Sequence, residues 1–272
     1  MKISNKFSIG CLIQWYEIEL IEEYLQSVKN AVDVIDNKEN VVIDLYFNCS
    51  QELEKVDEEQ ITISDIKRKY ADLLEVIFGD LDYGSYNINS YVNEFSNVMY
   101  TIADYRRDFN NKYCTEVDVL MWGESDSLIP RQTFQILDNL QTAVKDKTPK
   151  YVTFFGTCKM WDDSWLPVEH TEFTDKPFVD GDTENWWSLR YNMTIDEMNK
   201  FNDKVEHLDI KTIHQYKLNG CGLVMSSDVV KSGVNIPNSS FFIHEDTAFM
   251  LQLQKMFQGV IPQYVIKNIL LV

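Results

Sequence analysis

The stretch Phe7-Ser8-Ile9-Gly10-Cys11-Leu12-Ile13 is followed by Ile18, Ile21, Leu25, Val28 and Val32, and then by Val41-Val42-Ile43-Asp44-Leu45-Tyr46-Phe47. The first and last pieces are short apolar runs with β character. The middle piece carries apolar residues at three- and four-residue steps, the period of one helix face. Strand, helix and strand over about forty residues make a βαβ unit, which implies a parallel sheet. The expected class is therefore α/β, with a mostly parallel central sheet flanked by helices.

Working outward, residues 51–72 are acidic and read as helix or loop, and Leu73 to Phe78 as a third strand. Residues 91–112 read as a helix with Arg106 and Arg107 near its end. Val117 to Trp122 reads as a fourth strand running into Gly123-Glu124-Ser125-Asp126. Beyond Pro130, Phe134, Leu137, Leu140 and Val144 mark a helix, and Tyr151 to Phe155 a strand. Residues 158–192 are rich in Trp, Asp and Pro and read as irregular. Residues 194–207 read as a helix opened by Thr194 with Glu197 three positions on, a capping-box spacing. Gly220 to Met225 reads as a late strand, Ser226-Ser227-Asp228 as the cap of a short helix, and 245–258 as a helix with an acidic start.

The 272 residues suit one large α/β domain or two small domains sharing a sheet, and no internal repeat or Gly/Pro/Ser-rich linker divides them. Forty-three Asp and Glu against 25 Lys and Arg give a net charge of -18, which disfavours a general nucleic-acid coat, because phosphate binding needs clustered cations. The five Cys stand far apart without a CxxC pair, which reads as reduced thiols and not as a disulfide frame or zinc site. No apolar run approaches the ~18 residues of a membrane helix, and Met1 to Gly10 lacks a signal-peptide core. The expectation is a soluble cytoplasmic protein without a membrane span. A GxxxxGK[ST] loop, a GxGxxG after the first strand, a GxSxG elbow and an HExxH pair are all missing from the sequence.

Three features can carry chemistry. Glu124 and Asp126 follow the fourth strand two positions apart, where extended chain points them to one side. Ligands of open parallel sheets bind beyond such strand ends. Two carboxylates there can meet a hard divalent cation, and Gly123 lets backbone pass close to a ligand; an exposed acidic turn is the plainer alternative. The second feature is Phe241-Phe242-Ile243-His244-Glu245-Asp246-Thr247, an apolar run feeding ionisable residues at a helix start. The helix dipole favours a carboxylate there, which makes Asp246 or Glu245 a candidate general base; an acidic first turn with a surface His is the alternative. The third is Trp161-Asp162-Asp163-Ser164-Trp165 with Trp186-Trp187, where aromatic faces beside Asp and Asn can hold a sugar ring or can anchor a loop. Arg106 and Arg107 can meet phosphate oxygens or lie on a solvated helix face.

The order of these features resembles glycosyltransferases of the GT-A fold, most closely the family 2-like group. An N-terminal βαβ unit, a mid-chain strand ending in acids, a Gly-rich strand and a Glu-Asp pair opening a helix follow one another over residues 7–258. The tracts Trp122-Gly123-Glu124-Ser125-Asp126-Ser127-Leu128-Ile129-Pro130, Trp-Asp-Asp-Ser-Trp and His-Glu-Asp-Thr look like a subgroup found in virus and phage genomes, which would place the chain in a host cytoplasm.

The resemblance implies a single Rossmann-like GT-A domain over 1–272, with a nucleotide-binding half (1–126) and an acceptor-binding half (127–272). It implies a transferase, hexosyl- or pentosyl-, that moves a sugar from a nucleotide sugar, with a UDP-sugar as the first choice, to a carbohydrate or other hydroxyl acceptor with inversion. In the family an acidic DxD motif binds the metal, Mn or Mg, and the donor diphosphate; Glu124 and Asp126 match it, with Glu in the first place. The later Glu-Asp motif supplies the base, here Asp246 with Glu245. The loop Gln14-Trp15-Tyr16-Glu17 falls where the family begins its nucleotide site, and Asn48 and Ser50 fall where it usually carries an acid that contacts the base or ribose. Arg107 would assist the leaving diphosphate, and Trp161, Asp162, Trp186, Trp187 and His244 would meet the substrate. No His follows His244, where many members carry a further metal ligand. A hydroxylated base in viral DNA is an alternative acceptor, disfavoured by charge, and a non-catalytic nucleotide-sugar or carbohydrate-binding module is the alternative class.

Overall fold

The central strands are buried on both faces, and this decides how the helices pack. The computed structural model describes residues 1–49, 62–79, 84–93, 100–157, 159–161, 167–169, 194–213, 220–238, 244–257 and 260–272. In chain order they form β1 (Phe7–Gln14), α1 (Ile21–Asp33), β2 (Val41–Asn48), α2 (Ile63–Phe78), β3 (Asn87–Asn93), α3 (Ile102–Tyr113), β4 (Val119–Trp122) and α4 (Thr133–Val144). There follow β5 (Val152–Thr157), β6 (Lys159–Trp161), β7 (Pro167–Glu169), α5 (Ile195–Asn202), β8 (Ile210–Ile213), β9 (Val224–Ser226), α6 (Ser227–Lys231), α7 (Glu245–Phe257) and β10 (Gln263–Leu271).

Eight strands share one sheet in the order β3-β2-β1-β4-β9-β5-β10-β8, while β6 and β7 pair separately. The β3, β2, β1 and β4 strands are parallel, with Phe7 of β1 opposite both Val41 and Val119. Strand β9 runs antiparallel between β4 and β5, β10 runs parallel to β5, and β8 closes the edge antiparallel to β10. Alternation along β1 sends Ile9, Cys11 and Ile13 into one core and Leu12 into the other. The first core packs α1, α2 and α4 against the sheet; the second packs α3, α6 and α7. The result is a three-layer α/β sandwich. Among the described residues no helix is long and apolar enough to cross a membrane.

The βαβ unit pairs β1 and β2 in parallel as expected, and the capping-box start of α5 at Thr194 and Glu197 is present. Four expectations change. Leu73 to Phe78 is the second half of α2 and not a strand: Ile66, Tyr70, Leu74, Ile77 and Phe78 are buried at helical spacing. A six-residue apolar run cannot by itself distinguish the two. The third strand is β3, within Asn87–Asn93, whose polar edge sequence hides its β character. The helix expected over 91–112 therefore begins only at Ile102, where Thr101 caps it. The late strand is shortened to Val224–Ser226, because Gly222 takes a left-handed φ of 66°. The 194–207 helix stops at Asn202, whose side chain pairs with the Leu270 backbone, donating to its carbonyl at 2.9 Å and accepting from its N–H at 2.7 Å.

Candidate functional site

The chain passes from β1 to β2 and β3 on one side, and the sheet resumes with β4 on the other. Ligand crevices of open α/β sheets form beyond the carboxyl ends of strands at such a reversal. A cleft of about 390 Å³ opens at this point, lined by Gln14, Tyr16 and Glu17 after β1, by Tyr100 and Thr101 before α3, and by Gly123 to Asp126 after β4. That volume lies within the ~300–1,000 Å³ of small-molecule sites.

Close packing forms the floor. The Gly123 N–H donates to the Gly10 carbonyl at 2.7 Å, and a side chain at 123 would collide with the Tyr24 hydroxyl from α1. Glycine is what lets β1 and β4 meet here. Beyond it the Ser127 N–H donates to the Glu124 carbonyl at 3.1 Å, so the acids lie on a β-turn and not on extended chain. This corrects the expectation that both point to one side. Glu124 turns toward α3, while Asp126 is exposed; both still line the cleft.

Glu17 joins them as a third carboxylate. Burial pushes its pKa up, with Asp126 and Glu124 adding to the rise, while the Gln14 N–H and the Ser125 hydroxyl oppose it. Among the described residues the cleft lining holds three carboxylates and no Lys, Arg or His. At the ends of the adjacent strands, Asn93 donates to the Asn48 side chain at 3.1 Å, and Asn48 donates to that of Gln14 at 3.2 Å. Asn48 is thus buried behind Gln14. Trp15 packs on the core with Tyr16 edge-on at 5.7 Å, and it is Tyr16, 64% exposed, that lines the cleft.

The second acidic pair reaches the first through Arg106. Its Nη2 donates to Glu124 Oε1 at 2.6 Å and its Nη1 to Glu245 Oε1 at 2.6 Å. The guanidinium stands 4.7 Å from the Trp122 ring and is 3% exposed. Burial lowers the Arg106 pKa, but Glu124, Glu245 and Asp246 outweigh it and hold the pKa above the usual arginine value. Asp246 Oδ1 accepts from the Thr247 N–H at 2.6 Å at the start of α7. A Cβ at Gly220 would stand 2.9 Å from both Arg106 Nη1 and Asp246 Oδ2, so Arg106 and Asp246 both lie against Gly220.

Arg107 lies elsewhere. It donates to Asp104 at 2.6 Å and to the Pro237 carbonyl at 3.5 Å, so Arg106 and not Arg107 meets the acids. His244 is exposed before α7, and Trp161 ends β6 opposite Pro167. Asp162, Trp186, Trp187 and Ser50 lie outside the described residues. The residues missed from sequence are Tyr100 and Thr101. Their signal was the spacing of Thr101 and Asp104, a capping box that marks the helix start facing the cleft.

No protein-family model matches the chain, and no curated protein matches it in sequence. Solved structures do match. A crystal structure of TarS residues 1–349 from S. aureus superposes with a TM-score of 0.51 at 13% identity, covering 97% of this chain and 58% of that one. A longer TarS structure gives 0.50 at 14% identity, covering 97% of this chain and 35% of that one. The 1–349 fragment has also been crystallised with UDP-GlcNAc; that structure gives 0.49 at 14% identity, covering 97% and 56%. The present chain thus spans little more than half of the shorter TarS fragment. What the two share is the fold, a GT-A, Rossmann-like α/β domain.

Proposed function

We propose that this chain is a glycosyltransferase that takes a sugar from a nucleotide donor, with a UDP-sugar as the donor class, and passes it to a hydroxyl acceptor with inversion. The observation that carries the reading is the acidic cleft at the β1/β4 reversal, tied by Arg106 to a second acidic pair at the start of α7. The fold shared with TarS, which binds UDP-GlcNAc, supports the donor class. In this reading residues 1–126 supply the nucleotide half and 127–272 the acceptor half of one domain.

The charge of the cleft fits a hard divalent cation. Among the described lining residues there is no cation, and of the three carboxylates Arg106 behind the lining pairs with Glu124 alone, so Glu17 and Asp126 would still repel a diphosphate, while Asp126 and the other oxygen of Glu124 can supply ligands. Among the described residues no group of three or more His, Cys, Asp or Glu is arranged to hold a metal. Asp126 and Glu124 would therefore share the ion with donor oxygens and water, the usual manner for Mg. When bound, such a cation neutralises the departing diphosphate. Tyr16 and Tyr100 would meet the donor from the cleft wall, and Gln14 would present a carboxamide held by Asn48. Asp246 takes the proton of the acceptor hydroxyl as that oxygen attacks the anomeric carbon and the diphosphate leaves with the bonding pair.

The test joins calorimetry with UDP-sugars, with and without manganese, to a transfer assay. Binding at 100 Kd should stabilise the fold by about 2.7 kcal/mol. Asp246→Asn should retain donor binding and lower transfer about 10²–10⁴-fold. Near-normal transfer by the variant rejects Asp246 as the base. Donor binding without turnover across a broad acceptor panel favours a binding module, and no binding at all rejects the reading.

A further inference from the structure

Arg106 is not built like a phosphate ligand. It is buried, and its two terminal nitrogens go to carboxylates from different elements, Glu124 after β4 and Glu245 at the start of α7. Its Nη2 also lies 3.4 Å from the Gly220 carbonyl, and its Nε has no partner among the described residues. The ring beneath it is fixed in turn: Trp122 Nε1 donates to Asn110 Oδ1 at 3.0 Å, and the indole meets Phe249 of α7 edge-on at 5.2 Å. Arg106 and Asn110 are one helical turn apart on α3, so α3, β4 and α7 are pinned at one point.

We propose that Arg106 is a positioning residue: its planar guanidinium sets the separation of the Glu124 turn from the α7 start, and with it the placement of Asp246 against the donor cleft. This rests on the donor-and-base reading above. The shape of the cation is essential. A guanidinium offers donors in fixed, divergent directions, whereas an ammonium is a compact point charge that cannot hold two carboxylates in that geometry. The Glu124–Arg106–Glu245 bridge is thus a ruler as well as a neutralising charge. Gly220 keeps the space beside it clear.

Arg106→Lys separates the ruler from the charge. The variant should keep donor affinity within about threefold and lose at least about tenfold in kcat, since a misplaced base weakens the transition state and spares the ground-state complex. An independent thermal double-mutant cycle uses Glu124→Gln and Glu245→Gln. With Arg106 present, the Tm loss of the double variant should depart from the sum of the singles by at least about 2 °C; in the Arg106→Lys background the two should add. Additivity in both backgrounds, or a kcat within about twofold of the wild type in Arg106→Lys, overturns the proposal. A chain that neither binds nor turns over nucleotide sugars loses the transferase reading, while the cycle still decides whether Arg106 couples the two carboxylates.

Discussion

Arg106 and Asp33 sit in ion clusters of opposite stoichiometry. Asp33, at the end of α1, accepts from Lys29 and Lys38 at 2.5 Å each and from the Tyr86 hydroxyl, two cations to one anion. Arg106 serves Glu124 and Glu245 and feels Asp246, one cation to three anions. The Asp33 side chain is 33% exposed, so water screens the surplus positive charge. The Arg106 side chain is 3% exposed, so the surplus negative charge around it is poorly screened. A surface cluster with spare donors is a structural tie. A buried one short of cations, beside a cleft lined by further carboxylates, keeps a charge that a ligand can complete.

Removing the centre of each cluster should therefore have very different consequences. Arg106→Ala removes the shared partner of Glu245, 14% exposed, and Glu124, 31% exposed; losing one member of a fully buried group costs about 3–5 kcal/mol, and the hydration of Glu124 puts this loss at or below the lower end of that range. Urea denaturation at neutral pH measures it. Adding Glu124→Gln and Glu245→Gln should restore part of the loss, because the unpaired charges vanish. A loss below about 1 kcal/mol would mean that the buried cluster is screened as well as a surface pair, and the contrast would collapse.

The contrast also marks where sequence reading succeeds. The βαβ start was legible because Ile9, Cys11, Ile13, Ile43, Leu45 and Phe47 alternate into one core while Leu25, Val28 and Val32 follow helical spacing. The acidic tracts at 124–126 and 245–246 were legible as local clusters next to predicted element ends. Arg106 was not, because nothing local distinguishes it from Arg107; both sit on a polar helix. Only the third dimension turns Arg106 under Trp122 and leaves Arg107 with Asp104 and Pro237. Nor was the outer sheet legible. Strand β10 takes its identity from pairing with β5 and β8, and β8 exposes Ile210, Lys211 and Thr212. Pairing of that kind is long-range context, which overrides local propensity.

Asp44 on β2 tests the middle of the scale. It is buried and saturated: Tyr105 donates at 2.9 Å, Tyr113 at 2.5 Å and Lys112 at 2.8 Å. Like Asp33 it has surplus donors, and like Arg106 it lies inside. Burial, and then the hydrogen bond to Asp44, push the Tyr113 pKa up to about 12. A phenol whose folded pKa exceeds its unfolded value of about 10 contributes stability that is complete below pH ~10 and lost as pH rises through ~12. Asp44→Asn should cost about 1–3 kcal/mol at neutral pH. It should also bring the Tyr113 titration, followed by ultraviolet difference absorbance, back toward 10, and so flatten the alkaline fall in stability. An unchanged tyrosine titration would show that burial alone sets the shift.

The smallest effect belongs to Asp33. Burial raises its pKa, but the hydrogen bonds from Lys29, Lys38 and Tyr86 outweigh that and bring it to about 2. A carboxylate with a depressed folded pKa contributes stability that is present above its unfolded value of about 3.9 and lost as pH falls through about 2. Asp33→Asn should thus leave the neutral-pH midpoint nearly unchanged, by less than about 1 kcal/mol, because the group is a third exposed and screened. Its signature is the acid limb: between pH ~4 and ~2 the variant should lose stability less steeply than the wild type, and added salt should shrink the difference. The asymmetry with Arg106 then has a physical cause. At Asp33 the solvent completes what the protein leaves unbalanced, so removing the anion releases two lysines that water can solvate. At Arg106 the cation itself is buried and Glu245 is only 14% exposed, so the same operation strands charge where water reaches least, while Glu124, 31% exposed, keeps part of its hydration. If Asp33→Asn cost as much as Arg106→Ala, exposure would not be what separates the two clusters, and the surplus charge around Arg106 would lose its claim to mark a ligand site.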